Sequence, residues 1–300
     1  MTPDAIAGYK ARYPAAFGPT RRQRAYRIAG AIAFVAFTIY AFIALDFTWE
    51  RMWNGLDRLG FVFRFMFPPS SGGYFWEYVH ALGETIAMAL LGTSCASVVA
   101  LFVGFLAARN VNTSMLGYFA VRRTLDVIRS IDTLIWGLIF VRVVGLGPFA
   151  GVLAIFVSDV GTLSKLYGEA IEAADRRQQE GIRATGANRP EELRYGILPQ
   201  VFPVFLSNSL YFLESNTRSA TILGVVGAGG IGFHLADRIR LNAWDEVCLI
   251  IILILIAVSA IDWISRAIRL SLIGEGRAGQ AAGRFSSVDF IRGEMSRARA

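Results

Sequence analysis

The chain has 300 residues, 54% of them apolar and 18% charged, with a formal net charge of +7 and a mean hydropathy of +0.47. That balance exceeds what a soluble domain carries, and the apolar residues fall in blocks of about 18 or more, the length a helix needs to cross about 30 Å of hydrocarbon. The basic residues lie in polar segments between those blocks, which argues against a nucleic-acid-binding domain. Cys95 and Cys248 sit inside apolar blocks, so no disulfide framework is indicated, and two thiols cannot make a zinc site unaided. His80 and His234 are too far apart in sequence for a metal motif, and each is expected near a membrane interface. The fold class is therefore an all-α polytopic membrane protein without a metal site.

Residues 1–27 are polar and basic (Lys10, Arg12, Arg21, Arg22, Arg24, Arg27) and precede a first apolar span at 28–47. The apolar run is too long for a signal peptide and lacks a small-residue cleavage site, so it is expected to be retained. Residues 48–80 form an external loop. Within it Trp49 to Pro69 alternates aromatics with Arg51, Asp57, Arg58 and Arg64, leaving Met52, Trp53, Leu56 and Leu59 on another face. That pattern suits a helix lying in the membrane interface; the alternative is an irregular loop with buried aromatics. A core of five further spans is expected over 81–270. The second, at about 81–108, is rich in glycine, alanine and serine that let helices approach closely. The third covers about 124–144 and the fourth 149–166, joined at Gly145-Leu146-Gly147-Pro148. A polar loop at 170–199 follows, then a fifth span at about 201–226 and a sixth at 247–268. Residues 271–300 form the tail, and its basic, Gly-rich and Ser-rich part at 277–300 is expected to be mobile.

The positive-inside rule orients these six spans. With both termini cytoplasmic, 22 of the 30 basic residues face the cytoplasm, five lie outside, and Arg129, Arg142 and Arg218 fall within spans. The polar loop is then cytoplasmic. Its stretch from Ala174 to Pro199 has the makings of two short helices, Glu180 to Thr185 and Pro190 to Gly196, hinged at Gly186-Ala187-Asn188.

Charges inside spans call for a partner or a watery path, at a cost of about 2.5–3.5 kcal/mol each on insertion scales. Glu214 and Arg218 stand four apart on one helix face, with Ser215, Asn216, Thr217 and Ser219 around them. They line a translocation pathway or form a polar seam between helices or subunits. Arg129 and Asp132 are expected to pair near the start of the third span, and Asp159 lies in the fourth. The run Gly227-Ala228-Gly229-Gly230-Ile231-Gly232 spells a dinucleotide fingerprint, but it follows a membrane span rather than a strand and opens no βαβ unit. Gly227, Gly229, Gly230 and Gly232 are expected instead to end a helix, turn, and pack closely at the external mouth. No Walker lysine motif occurs anywhere.

Glu180, Gly186, Leu198 and Pro199 match the spacing E-A-A-x3-G-x9-I-x-L-P, the cytoplasmic loop of permease subunits in type I ABC importers, which this chain resembles. Gly181 and Ile182 stand where two alanines are usual, and Gly196 where isoleucine is. Glu172-Ala173-Ala174 has the letters but lies eight residues too early. The runs RATGANRPEELRYGILPQVFP and LESNTRSATILGVVGAGGIG, the turn from Leu241-Asn242 to Glu246, and the FPP at 67–69 resemble phosphonate-type permeases, with methionine-type permeases the nearest competitor. The resemblance implies a type I ABC importer permease in the bacterial inner membrane that catalyses no bond chemistry. It implies a second copy of the permease and two ATPase subunits that carry ATP and magnesium. It also implies a periplasmic or lipid-anchored substrate-binding protein, and a coupling loop containing Glu180, Gly181, Arg183, Gly186, Ala187, Leu198 and Pro199. The rival classes are a stand-alone secondary transporter using Glu214 and Arg218, and a membrane enzyme.

Overall fold

Helix α1 (Arg21–Ala44) opens the computed structural model, which describes the backbone of residues 21–112 and 114–297 and the side chains of 22–112 and 114–271. The reading of residues 1–20, and of the side chains beyond 271, falls outside these described residues. The chain divides into two compact units, residues 1–64 and 65–300.

In the first unit, α1 is long and apolar enough to cross a membrane, and it begins earlier than the span expected at 28–47. Its Phe34, Phe37, Tyr40 and Ile43 are all more than half exposed, which fits a helix whose solvent is lipid. The chain then turns at Asp46, whose φ is +49°. The Arg51 guanidinium donates to the Asp46 carbonyl at 3.1 Å, and Thr48 Oγ1 accepts the Arg51 N–H at 3.4 Å. Helix α2 (Trp49–Met66) follows, with no buried residue and with Trp49 stacked on Trp53. Of the two readings of this stretch, the helix is the one observed.

The second unit is built on α3 (Phe75–Ala107) and α6 (Pro148–Glu172). These lie in close contact because small residues face bulky ones. A Cβ on Gly92 would come within 2.8 Å of Ile155 Cβ, and one on Gly104 within 2.8 Å of Tyr167 Cβ. Van der Waals packing of this kind is what holds helices together when the surrounding solvent is as apolar as they are. Around the pair stand α4 (Met115–Ser130), α5 (Thr133–Val144), α7 (Arg176–Ala184), α8 (Arg189–Glu191), α9 (Leu198–Leu223), α10 (Gly230–Arg240) and α11 (Trp244–Arg297). Buried clusters follow the pair along its length: Tyr78, Ala81, Ile231 and Ile250 at one end, Met88, Ile155 and Leu223 between, and Leu163, Tyr167 and Phe205 towards the other.

Two expectations need correction. The third span is not one helix: Asp132 accepts the Leu134 N–H at 2.8 Å and so caps α5, breaking the run after Ser130. That use of its carboxylate replaces the expected pairing with Arg129. At a rise of 1.5 Å per residue the 12-residue α5 reaches only about 18 Å. Five helices among the described residues are long and apolar enough to span, and α5 is a shorter apolar one. The described part of the tail is helical, since α11 continues to Arg297.

Gly104→Val forces a branched side chain into Tyr167 and is expected to destabilise the unit by about 1–3 kcal/mol. A lowered detergent-solution melting temperature checks it. Gly83→Ala is the control, because nothing lies within 4 Å of its Cβ position, and its melt is expected to match the wild type.

Candidate functional site

The polar loop folds through local hydrogen bonds that its sequence supplies. Asp175 caps α7 by accepting the Arg177 N–H at 2.9 Å, and its own N–H donates to Gln200 Oε1 at 2.9 Å. Helix α7 thus starts at Arg176, four residues before the expected Glu180. It ends at Ala184, two residues before Gly186, whose φ of +82° lies in the left-handed region, so the chain bends where glycine permits it. Asn188 and Glu191 form a capping box, with Glu191 accepting the Asn188 N–H at 2.8 Å.

The second expected helix, Pro190 to Gly196, is not separate. α8 runs through a π-helical turn at Glu192–Ile197 directly into α9. Pro199 lacks an N–H and cannot close the ordinary i→i−4 bond there, and Gln200 Nε2 satisfies the Gly196 carbonyl at 2.6 Å. Wider turns of this type concentrate at functional sites.

Ion pairs fasten the loop to the helices. Arg183 donates to both oxygens of the buried Glu192 at 2.9 and 3.0 Å. Arg189 donates to the carbonyls of Asn110 and Val111 at 3.3 and 3.1 Å, just past the end of α3. Glu172 accepts the Arg109 N–H at 2.7 Å and pairs with Arg122 at 3.0 Å, so the residue with the misleading letters braces the turn after α3. Glu180, Gly181 and Pro199 are exposed, and Leu198 is half-buried. Gly186 and Ala187 line a hollow with Ile182, Glu191 and Tyr195.

The polar residues of α9 separate into two groups. Asn216 is buried, donating to Asp159 Oδ2 at 2.5 Å and Thr93 Oγ1 at 2.8 Å, which joins α9, α6 and α3. Glu214 and Arg218 face α11 instead. Glu214 pairs tightly with Arg269 at 2.8 Å, while Arg218 stands 3.6 Å from both Glu214 and Asp262. Arg218 is half exposed, and among the described residues its guanidinium makes no hydrogen bond as short as 3.5 Å. Ser219 Oγ donates to the Ser215 carbonyl of its own helix at 3.4 Å. The expected grouping of Glu214, Asn216, Arg218 and Ser219 is thus divided by helical geometry, with Asn216 in a buried clasp and Arg218 on an open face. Asp262 and Arg269 were missed, although both are charges in or beside the sixth span and the cost of burying charge could have flagged them.

At the opposite end the glycine run makes a tight reversal. Gly227, Gly229 and Gly230 have φ of +105°, +76° and +68°. A Cβ on Gly232 would fall 1.9 Å from the Thr221 carbonyl oxygen, so α10 folds back directly on the end of α9. Its first N–H groups are satisfied from α3: Glu84 accepts from Gly230 at 3.2 Å and Thr85 from Ile231 at 2.9 Å. Nearby, the Tyr78 hydroxyl donates to Glu246, which also pairs with Arg238 at 3.3 Å. The two histidines, expected at separate places, line one pocket with Glu77 and Glu84.

Residues 100–270 match the family model described as the binding-protein-dependent transport system inner membrane component. A candidate phosphite transport system permease of Stutzerimonas stutzeri, HtxC, is 35% identical over 259 residues, covering 86% of this chain and 91% of its own. The phosphite transport system permease protein PtxC of the same organism is 39% identical over 216 residues, covering 72% and 78%. The phosphate-import permease protein PhnE of Mycolicibacterium smegmatis is 35% identical over 212 residues, covering 71% of this chain and 40% of its own. Among solved structures, a chain of the inward-facing MetNI methionine ABC transporter superposes with a TM-score of 0.59 at 22% identity, covering 68% of this chain and 99% of that one. A chain of an alginate ABC transporter gives 0.52 at 17%, covering 81% and 97%. These last two show the fold alone. The class is a multi-pass, all-helical ABC-importer permease. The chain belongs to the family of binding-protein-dependent transport system inner membrane components.

Asn216→Leu strands the Asp159 carboxyl without its amide donor. The expected destabilisation is about 1–3 kcal/mol, read as a lowered melting temperature of the purified chain. Gly232→Ala is expected to be worse, preventing a monodisperse product in size-exclusion chromatography, because no rotamer relieves a Cβ against a backbone oxygen.

Proposed function

We propose that this chain is the membrane permease of an ATP-driven importer for phosphorus oxyanions, a class that includes phosphonates, phosphite and phosphate esters. The observation that carries the substrate class is the 39% identity to a named phosphite permease over 72% of the chain. Likeness to the methionine transporter stands at 22% identity and supports the fold without the ligand.

In this reading the membrane is the bacterial inner membrane and both termini are cytoplasmic. Six crossings result when α5, with the turn before it, supplies the short third one. Helix α2 lies in the lipid interface, its aromatics in the acyl region and Arg51, Arg58 and Arg64 towards headgroups. Two copies enclose the pathway, and two ATPase subunits carry ATP and magnesium. A periplasmic or lipid-anchored binding protein delivers the ligand, and nucleic acid has no part.

The coupling loop is the handle. Docked α7 moves as a short rigid body with Glu180 and Gly181 outward, and the bend at Gly186-Ala187 passes the movement through Leu198 and Pro199 into α9. Because α8, the π-helical turn and α9 are continuous, a pull at the loop reaches Arg218 along one helix. The cluster of Glu214, Arg218, Asp262 and Arg269 would cost several kcal/mol against hydrocarbon, which favours a water-lined position. Arg269 neutralises Glu214, and Arg218 is held loosely enough to meet a passing oxyanion. The glycine turn at Gly227, Gly229, Gly230 and Gly232 forms the external end of that path.

The test is reconstitution with the ATPase and binding protein in liposomes. ATP hydrolysis is expected to rise with phosphite-loaded binding protein; hydrolysis indifferent to phosphite and phosphonate rejects the substrate class. Arg218→Gln is expected to lower phosphite uptake about tenfold or more, the worth of a charge-assisted hydrogen bond. Unchanged uptake assigns Arg218 to a structural seam. Gly186→Pro replaces a φ of +82° by one near −65°. Hydrolysis is expected to persist in it while uptake falls, and normal uptake removes the hinge role.

A further inference from the structure

A cavity of about 260 Å³ lies between α7 and the π-helical turn, on the side of the loop that faces the end of α3. Its charge balance is uneven. Three guanidiniums, from Arg176, Arg183 and Arg189, meet two carboxylates, Glu180 and Glu192. Glu192 is taken up by its two-point contact with Arg183. Arg189 spends Nη2 on the Asn110 and Val111 carbonyls and keeps its other donors. Arg176 has no ion pair within 4 Å among the described residues, although Glu180 is one turn away. The Nε2 of Gln179 is buried, lines the cavity, and has no acceptor among the described residues.

A buried amide donor without a partner costs about 1–3 kcal/mol. This cavity therefore holds one positive charge in excess, three guanidiniums against two carboxylates, and a buried amide donor that the Glu180 carboxylate in its lining does not reach. A ligand that corrects both deficits carries negative charge and several acceptor oxygens at once. A tetrahedral oxyanion does so, and the volume leaves room for its waters at about 30 Å³ each. Arginine forks suit such oxygens bidentately.

We propose that this cavity binds a tetrahedral oxyanion of the phosphate class from the cytoplasmic side. The bound anion ties Arg176 and Gln179 of α7 to Arg189 at the start of the long helix, bridging the bend at Gly186. A bridged bend is a stiffened one, so the anion slows transport as product accumulates. That regulatory role rests on the phosphorus-oxyanion importer reading, whereas the anion site itself does not.

Calorimetric titration of the full-length chain in complex with its ATPase tests the site, using inorganic phosphate at an ionic strength held constant with chloride. Saturable binding is expected, weakened about tenfold or more in Arg176→Gln and in Gln179→Leu. Gln179→Leu removes an amide that bonds nothing, so its melting temperature is expected to equal or exceed the wild type's. Absence of saturable binding, or equal affinity in both variants, overturns the site as an adventitious ion only. The same oxygens could come from an acidic side chain of the ATPase. Equal binding to the chain alone and to the complex supports the free anion, and loss of binding in the complex overturns it in favour of the partner's carboxylate. In liposomes, phosphate on the coupling-loop face is expected to halve wild-type phosphite uptake or better and to leave the Gln179→Leu rate unaffected by phosphate; equal inhibition of both overturns the regulation. Phosphate binding without any phosphite uptake would sink the importer reading and spare the site, and uptake without phosphate binding would do the reverse.

Discussion

Close contact between α3 and α6 is the constraint on which the rest of this structure hangs. Gly92 and Gly104 bring the two backbones together against Ile155 and Tyr167, and α3 then serves as a rail for everything functional. Its early turns offer Glu84 and Thr85 to the N–H groups that open α10. Its middle offers Thr93 to Asn216. The residues just past its end, Asn110 and Val111, receive Arg189 of the loop. One helix therefore holds the glycine turn, the interior clasp and the polar loop in fixed register, and a displacement of any one is resisted by the other two.

The interior shows how polar groups are tolerated in a membrane protein. Asp159, Asn216 and Thr93 satisfy one another in a buried cluster, which suits a joint that keeps its geometry. The cluster around Arg218 is different in kind. Tight pairing of Glu214 with Arg269 at 2.8 Å leaves Arg218 with two contacts of 3.6 Å. A loosely paired cation on a half-exposed face can exchange partners, and a buried, saturated amide cannot. Residues two apart on one helix thus have opposite characters because the helix turns them to opposite surroundings.

Features with a one-dimensional signature were legible in the sequence. Apolar block length marked the long helices, the charge pattern of 49–66 marked α2, and glycine marked the bend at Gly186 and the reversal at 227–232. What escaped was decided by three-dimensional competition. Asp132 had two uses open to it, pairing with Arg129 or capping α5, and spacing does not rank them. The π-helical turn follows from Pro199 meeting a helix already under way, a conflict that no local propensity records. Glu246 is read from sequence as a turn residue, yet it accepts from Tyr78, 168 residues away. His80 and His234 reach one pocket only because α10 folds back on α9.

The departures of the loop from its family spacing have a physical account in the way α7 lies. Gly196 stands where isoleucine is usual, and a Cβ there would already touch Gln179 Cα at 3.4 Å. A branched side chain at that position would lift α7 off the π-helical turn and open the cavity beneath it. Gly181 has nothing within 4 Å of its Cβ position among the described residues outside its own helix backbone, so an alanine there gains no tertiary contact from them. Glycine in place of alanine costs a helix about 0.5–1 kcal/mol, and a nine-residue helix is too short to persist alone. The stability of α7 therefore resides in its tertiary ties: Asp175 to Gln200, Arg183 to Glu192, and the close seat on Gly196. Exchanging intrinsic helicity for attachment ties the position of α7 to the helices it is fastened to, so that it shifts with them rather than independently of them.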